Sequence, residues 1–270
     1  MDPLSPSRLS RSGAARLLAS MPALCALLAP APAGGVEWLP GRSPYSRPLA
    51  DPLEPRIGLT YAASPDRLDA TLGAPIPLAA FGPASLPLTA TLEGHSFFRL
   101  GRDGAFFPLQ TFDGIFAAGL EARLGFGAAR LQLVHWSAHR ADGDSTVSYR
   151  GMTFSREFWS LDLEARRGHR MLYGGLGASW HSVPEARGLS LRLGAQGSWG
   201  DGDWRPFAAV HLAGDAAHRM RFAQTALLGV ETGRGPILRL ALRGFSGPRP
   251  HGQSWQEIER YLGGDFSVSQ

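Results

Sequence analysis

The chain has 270 residues, 44% of them hydrophobic and only 19% charged, with 34 glycines. That is too apolar for a disordered chain and too glycine-rich for a helical bundle. The net charge of +4 comes from scattered arginines with no lysine present, so no dense basic stripe is offered to nucleic acid.

Arg8, Arg11 and Arg16 precede an apolar run from Leu17 to Leu28, and Ala31-Pro32-Ala33 supplies a small-x-small cleavage site. This pattern predicts an export signal over residues 1–33. The lone Cys25 lies inside it in a poor context for lipidation, so the exported chain would carry no disulfide. After residue 34 no stretch reaches the roughly 18 uninterrupted apolar residues of a membrane-spanning helix. Residues 34–55 carry Pro40, Pro44, Pro48, Pro52 and Pro55. Proline at that density excludes central strands, and we expect a periplasmic leader lying along a surface.

From residue 56 to residue 270 the pattern has period 2. Phe116, Ala118, Leu120, Ala122 and Leu124 oppose Glu121 and Arg123, and Trp159, Leu161 and Leu163 oppose Ser160, Asp162 and Glu164. Leu189, Leu191 and Leu193 oppose Ser190 and Arg192, and Leu238, Leu240 and Leu242 oppose Arg239 and Arg243. The runs extend to about 10–13 residues, beyond the usual soluble strand of about 5–6 and close to a tilted membrane strand. Arg and Glu recur in mid-strand on the opposite face, as in a polar lumen. Short links at 125–127, 167–169, 200–203 and 233–235 alternate with longer ones at 138–154, 182–187, 214–217 and 247–255. We therefore expect an all-β fold, a transmembrane antiparallel β-barrel of the bacterial outer membrane, inserted by the barrel-assembly machinery.

Eleven strands are legible, near 56–63, 93–100, 112–124, 128–138, 155–166, 170–181, 188–199, 204–214, 218–232, 236–246 and 256–268. An even number is the rule for bacterial single-chain barrels, so a twelfth is expected within 64–111, with ten as the fallback. Inward charges of mixed sign, Glu121, Arg123, Arg130, Asp162, Glu164, Arg192, Arg221, Arg239 and Arg243, read as an ion-paired lumen filling rather than a selectivity ring. Trp136, Trp159, Trp180, Trp199 and Tyr261 read as interface girdle or lumen packing.

Chemistry concentrates in 131–139. Leu131 and Leu133 share parity with His135 and Ser137, so all four face lipid if the leucines do. On the next strand the parity of Trp159 and Leu161 brings out Ser155 and Glu157. A loop symmetric about residue 146 sets His135 opposite Glu157 and Ser137 opposite Ser155. Ser needs an imidazole to take its proton and a carboxylate to orient that imidazole, so Ser137, His135 and Glu157 are the candidate catalytic residues. Polar residues decorating a strand end at the membrane interface are the structural alternative. His135, His139, Asp142 and Asp144 could gather around a metal, with Asp142 and Asp144 as weak candidate oxygen ligands for Ca²⁺, but the fuller acidic loop of a calcium site is absent. No other cofactor is expected, and no Gly-rich loop opens a helix to hold phosphate.

The His135-x-Ser137 segment resembles the motif of outer-membrane phospholipase A and of lipid A deacylases, over some 25 residues. The phospholipase's third member is Asn, which this chain lacks, whereas a Glu third member as in the deacylases is met by Glu157. Across nearly the whole chain after residue 33 the sequence resembles an exported family, domain of unknown function 1207. The matching segments are Trp38-Leu39-Pro40, Ala50-Asp51-Pro52, Glu54-Pro55-Arg56, His135-x-Ser137-Ala138-His139, Ser155-Arg156-Glu157, Tyr173-Gly174-Gly175, Gly252-Gln253 and Glu259-Arg260-Tyr261-Leu262-Gly263. That resemblance lends no activity. Two functions therefore stand at this level, a structural or passive-transport barrel first, and as the alternative a hydrolase of outer-membrane lipid.

Overall fold

The computed structural model describes residues 35–141, 153–186 and 188–269. The expected export signal and the weak metal candidates Asp142 and Asp144 lie outside the described residues. A two-residue strand, β1 (Glu37–Trp38), comes first, followed by β2 (Ile57–Ala63), β3 (Asp66–Phe81), β4 (Leu88–Gly101) and β5 (Leu109–Leu124). Next come β6 (Gly127–Arg140), β7 (Phe154–Arg167), β8 (Arg170–Val183) and β9 (Gly188–Ser198). The last four are β10 (Trp204–Asp215), β11 (Arg221–Thr232), β12 (Ile237–Pro248) and β13 (Ile258–Ser269). Each of β2 to β13 pairs antiparallel with its sequence neighbours, and β13 pairs β2, so twelve strands close on themselves. Closure gives each of the twelve strands a neighbour on both sides and satisfies the ladder hydrogen bonds internally along the paired stretches.

The strand hidden to the sequence is β3. Pro75 and Pro77 interrupt its pattern, and they fit because β2 pairs β3 only from Gly58–Thr71 to Ala63–Asp66. Beyond Gly73, whose N–H donates to Arg56 O at 3.1 Å, that edge of β3 has no strand partner until Leu78 O accepts from Leu39 N and β1 pairs with Ala79 and Ala80. Proline costs no ladder bond on an unpaired edge. The links fall into two sets. One end of the barrel has turns such as Gly125-Phe126 and Gly168-His169, where Gly168 at φ 59 supplies the left-handed residue the tight turn needs. The other end has most of the wider links, along with the two-residue turn Ser64-Pro65 between β2 and β3, and we call these the turn end and the loop end.

The barrel is polar inside and apolar outside. Leu161, Leu163, Leu172, Leu176, Leu189, Leu228, Leu240, Leu242 and Leu262 are exposed on the outer wall, while Glu121, Arg130, Asp162 and Arg243 are fully buried in the lumen. Trp159 and Trp180 sit on the outer wall toward the loop end, Trp199 and Trp204 toward the turn end, and Trp136 is buried inside.

The lumen also holds the proline-rich segment. Expected along a surface, residues 43–56 instead enter the barrel, where they pair or pack with residues of β4 to β7, β9 to β11 and β13. Its backbone has no strand partner, so inward side chains accept its N–H groups: Tyr45 N donates to Glu121 Oε2 (3.0 Å), Ser46 N to Glu164 Oε2 (2.9 Å) and Leu49 N to Gln196 Oε1 (2.7 Å). That accounting explains why a segment without secondary structure can be buried at all. Arg47 bridges Glu93 (2.5 Å) and Glu121 (2.8 Å). Glu54 takes a two-pronged bond from Arg130, which also holds Asp162 at 3.0 Å and lies 4.2 Å from the Tyr45 ring centroid. Burial alone would raise the Glu54 pKa, but Arg130, with Arg47 and Arg192, holds it well below the usual carboxylate range. The segment is a plug, because the mixed-sign lumen supplies it with partners that a surface would not.

A second element closes the loop end. Residues 249–257 fold inward around a short 3-10 turn, Gly252–Ser254. Gly252 N donates to Asp113 Oδ2 at 2.6 Å, and Trp136 Nε1 donates to the same oxygen at 3.1 Å. Trp255 packs with Phe97, Ile115, Val134, Trp136 and Phe154 in the main apolar cluster. This cap and the plug occupy the lumen at two levels.

Candidate functional site

The register of β6 against β7 sets His135 opposite Glu157 and Ser137 opposite Ser155, the pairing expected from a symmetric loop. All four residues face outward near the loop end, above the exposed Leu133, Trp159 and Leu161. Polar side chains on an otherwise apolar wall need partners. Glu157 is where they meet.

His135 Nδ1 lies 2.9 Å from Glu157 Oε1, and Ser155 Oγ donates to the same oxygen at 2.8 Å. The imidazole and the carboxylate are partly open, at 47% and 23% side-chain exposure, so the site is reachable from outside the wall. With Nδ1 donating to Glu157, the lone pair of Nε2 is left as the basic position, since the bond at one ring nitrogen decides the role of the other. Ser137 is the next outward residue along the same strand. Among the described residues its hydroxyl makes no hydrogen bond to His135, so the structure joins two of the three candidates and leaves Ser137 adjacent but unbonded. Catalytic hydrogen bonds are often looser without substrate.

On its other side Ser137 pairs with Gly114. Gly114 lies between the outward rings of Phe112 and Phe116, and a Cβ there would sit 3.7 Å from each ring and 3.8 Å from Ser137 Oγ. The missing side chain leaves an aromatic-walled notch beside the hydroxyl. Phe98 extends this wall, its ring 5.3 Å from that of Phe112.

The sequence reading missed His181. Its Nδ1 contacts Glu157 Oε2, so the carboxylate serves two imidazoles, one on each neighbouring strand. Period 2 along β8 points residue 181 into the lumen. A bulge between Glu157 and Phe158, with Trp180 as the extra residue, turns it outward instead. Bulges re-aim side chains and occur next to active sites, but they leave no mark that alternation can reveal. The bulge is tied by Ser179 Oγ, which donates to Glu157 O at 3.3 Å and to His181 O at 3.2 Å.

Among the described residues no group of three or more His, Cys, Asp and Glu side chains is placed to hold a metal ion. No described helix is long and apolar enough to cross a membrane, which says nothing of strands. No family model, curated protein or solved structure matches the chain.

Proposed function

We propose that the protein is an outer-membrane β-barrel whose outer wall carries a serine esterase site for membrane lipid, with Ser137 as nucleophile, His135 as general base and Glu157 as the orienting carboxylate. The observation that carries the reading is the His135–Glu157 hydrogen bond of 2.9 Å on the apolar outer wall, one residue pair from Ser137. A closed ring of strands with leucines outside and ion pairs inside fits a bilayer, where every backbone group must be satisfied internally. The Ser-His-Glu composition is that of the lipid A deacylases the segment resembles.

The reaction class follows from the site's position. A nucleophile on the lipid-facing wall meets acyl ester bonds of lipids standing beside the barrel. His135 Nε2 takes the Ser137 proton as Oγ attacks the ester carbonyl, and Glu157 stabilises the imidazolium that forms. The imidazolium then protonates the departing alcohol, leaving an acyl-serine, and water attacks that acyl group with His135 again as base. The notch over Gly114 lies where an acyl chain would run. The plug and cap weigh against the passive-pore reading, since both occupy the lumen. The export signal, the assembly machinery and the outer-membrane address belong to the same proposal.

Labelling tests it directly. A lipophilic fluorophosphonate added to detergent-folded protein should modify Ser137, identified by peptide mass, and His135→Ala should abolish the modification. Absence of label on Ser137 in a folded barrel would count against the site.

A further inference from the structure

The tight turn at Gly168-His169 is closed by a pair of like charges. Arg167 ends β7, Arg170 begins β8, and the register sets them directly opposite each other. Both are exposed, and both share the outward parity of Ala165 and Leu172 rather than the inward parity of Glu164 and Met171. Like charges facing each other across a ladder are destabilising unless a counter-charge answers them. Among the described residues no carboxylate comes within ion-pair distance of either guanidinium. Glu164 points inward and reaches only Arg166, at 4.0 Å, and Asp203 on the turn after β9 pairs with Arg234 at 3.7 Å.

The wall beside the pair is an apolar groove. Ala195, Gly197 and Ala208 form its floor, with Leu172, Val210 and Trp199 around them. Gly197 pairs with Arg170, and a Cβ there would lie 3.3 Å from Arg170 Cγ, so the glycine lets the arginine stem lie flat on the wall. No Asp or Glu lines this groove, whereas Arg166, Arg167 and Arg170 all do. Its chemistry calls for an anion with a long apolar body. On a barrel wall that is a lipid, and the guanidinium fork matches phosphate oxygens in particular.

We propose that the groove seats one anionic phospholipid of the phosphatidylglycerol type, its phosphate bridging Arg167 and Arg170 and its acyl chains lying over Ala195. Each guanidinium donates to one non-bridging oxygen, which answers the two facing charges. Trp199 marks the level, since tryptophans gather where headgroups meet acyl chains. Short turns lie on the periplasmic side of outer-membrane barrels, so the lipid belongs to the periplasmic leaflet. Phosphatidylethanolamine offers the same phosphate but brings its own ammonium, and so leaves the arginine charges unbalanced. The inference rests on the outer-membrane reading and not on the esterase site, which lies at the other end of the wall.

Native mass spectrometry of the full detergent-folded chain tests it, with phosphatidylglycerol and phosphatidylethanolamine of the same acyl chains as probes. Heat-modifiable mobility and insertion into vesicles are checked for every variant. Wild-type protein should keep one phosphatidylglycerol at least about tenfold more strongly than phosphatidylethanolamine, the scale of a hydrogen bond to a charged group. Arg167→Gln combined with Arg170→Gln should remove that preference. Ala195→Phe fills the groove and leaves both charges; it should weaken retention by a similar factor, and it carries the test if the double variant does not fold. Arg234→Gln removes an exposed charge at the same end, one already matched by Asp203, and should change nothing. Equal retention of the two lipids by wild type overturns the proposal. So does a preference that survives the folded double variant, or one lost equally in Arg234→Gln. Tighter binding of lipid A than of phosphatidylglycerol also overturns it, by assigning the groove to the other leaflet. A wild-type chain that fails to insert overturns the outer-membrane reading with it, whereas an inserted barrel without the preference overturns this inference alone.

Discussion

His135 and His181 reach the same carboxylate from opposite sides, His135 at Glu157 Oε1 and His181 at Oε2. The two strands carrying them flank β7, so Glu157 is fixed at both oxygens before any substrate arrives. In the proposed esterase this gives the three side chains different weights.

Ser137→Ala and His135→Ala should each reduce lipid hydrolysis to background while the barrel still folds, because neither side chain packs in the lumen. Glu157→Gln should cost less than either, about 10²- to 10⁴-fold in kcat, the usual scale for a disturbed general base. His181→Ala should cost less again, because Ser155 still holds Oε1 toward His135. Initial rates on a short-chain lipid ester in mixed micelles rank the four. A loss at His181→Ala equal to that at Ser137→Ala contradicts the assignment of His181 as a positioning residue.

Glu54→Ala should loosen the plug. It leaves Arg130 in the lumen with Asp162 as its remaining close partner, and breaking a buried pair costs about 3–5 kcal/mol. Hydrogen exchange over residues 43–56 should rise by at least about tenfold, while the strands stay protected. In planar bilayers the wild type should be silent and the variant should flicker. A steady open conductance from wild-type protein would restore the pore reading.

Gly252→Ala should displace the cap. A Cβ at residue 252 would fall 2.6 Å from both Ala138 Cβ and the Phe154 ring, and both are buried. Overpacking of this kind costs about 1–3 kcal/mol. Trp255 leaves its cluster with the cap, so its fluorescence should shift to the red. An unchanged spectrum would mean that the cap is not seated through Gly252.

Acid should release the cap before the plug. Burial lowers the His251 pKa from 6.5 to about 3, with Arg99, Arg67 and Arg249 adding to the effect and Asp69 opposing it. A neutral buried imidazole therefore contributes stability that is full above about 6.5 and drains as pH falls toward about 3. Glu54 is also depressed, so its contribution is whole above the ordinary carboxylate range and is lost only as pH falls through its much lower folded value. Exchange rates in the cap should rise from about pH 6 downward, with those in the plug rising only in stronger acid. Simultaneous loosening of both segments would contradict these assignments.

The strands were legible wherever one face meets apolar surroundings and the other meets ion pairs. The His135–Glu157 pairing was legible for the same reason, since parity fixes the face and a symmetric loop fixes the register. Three features were not. In β3, Pro75 and Pro77 hide the period because an open edge tolerates them. The plug has no period, and its partners lie far along the chain, as Glu54 and Arg130 do. His181 was lost to a bulge, which inverts parity at one residue.

The central claim rests on the Ser137 hydroxyl. Wild-type protein and Ser137→Ala, refolded to the same heat-modifiable barrel and reconstituted with phospholipid or lipopolysaccharide and Ca²⁺, should be compared for fatty-acid release. Release by wild type and none above background by Ser137→Ala is the predicted result. Equal release by the two, or none by either, would contradict it.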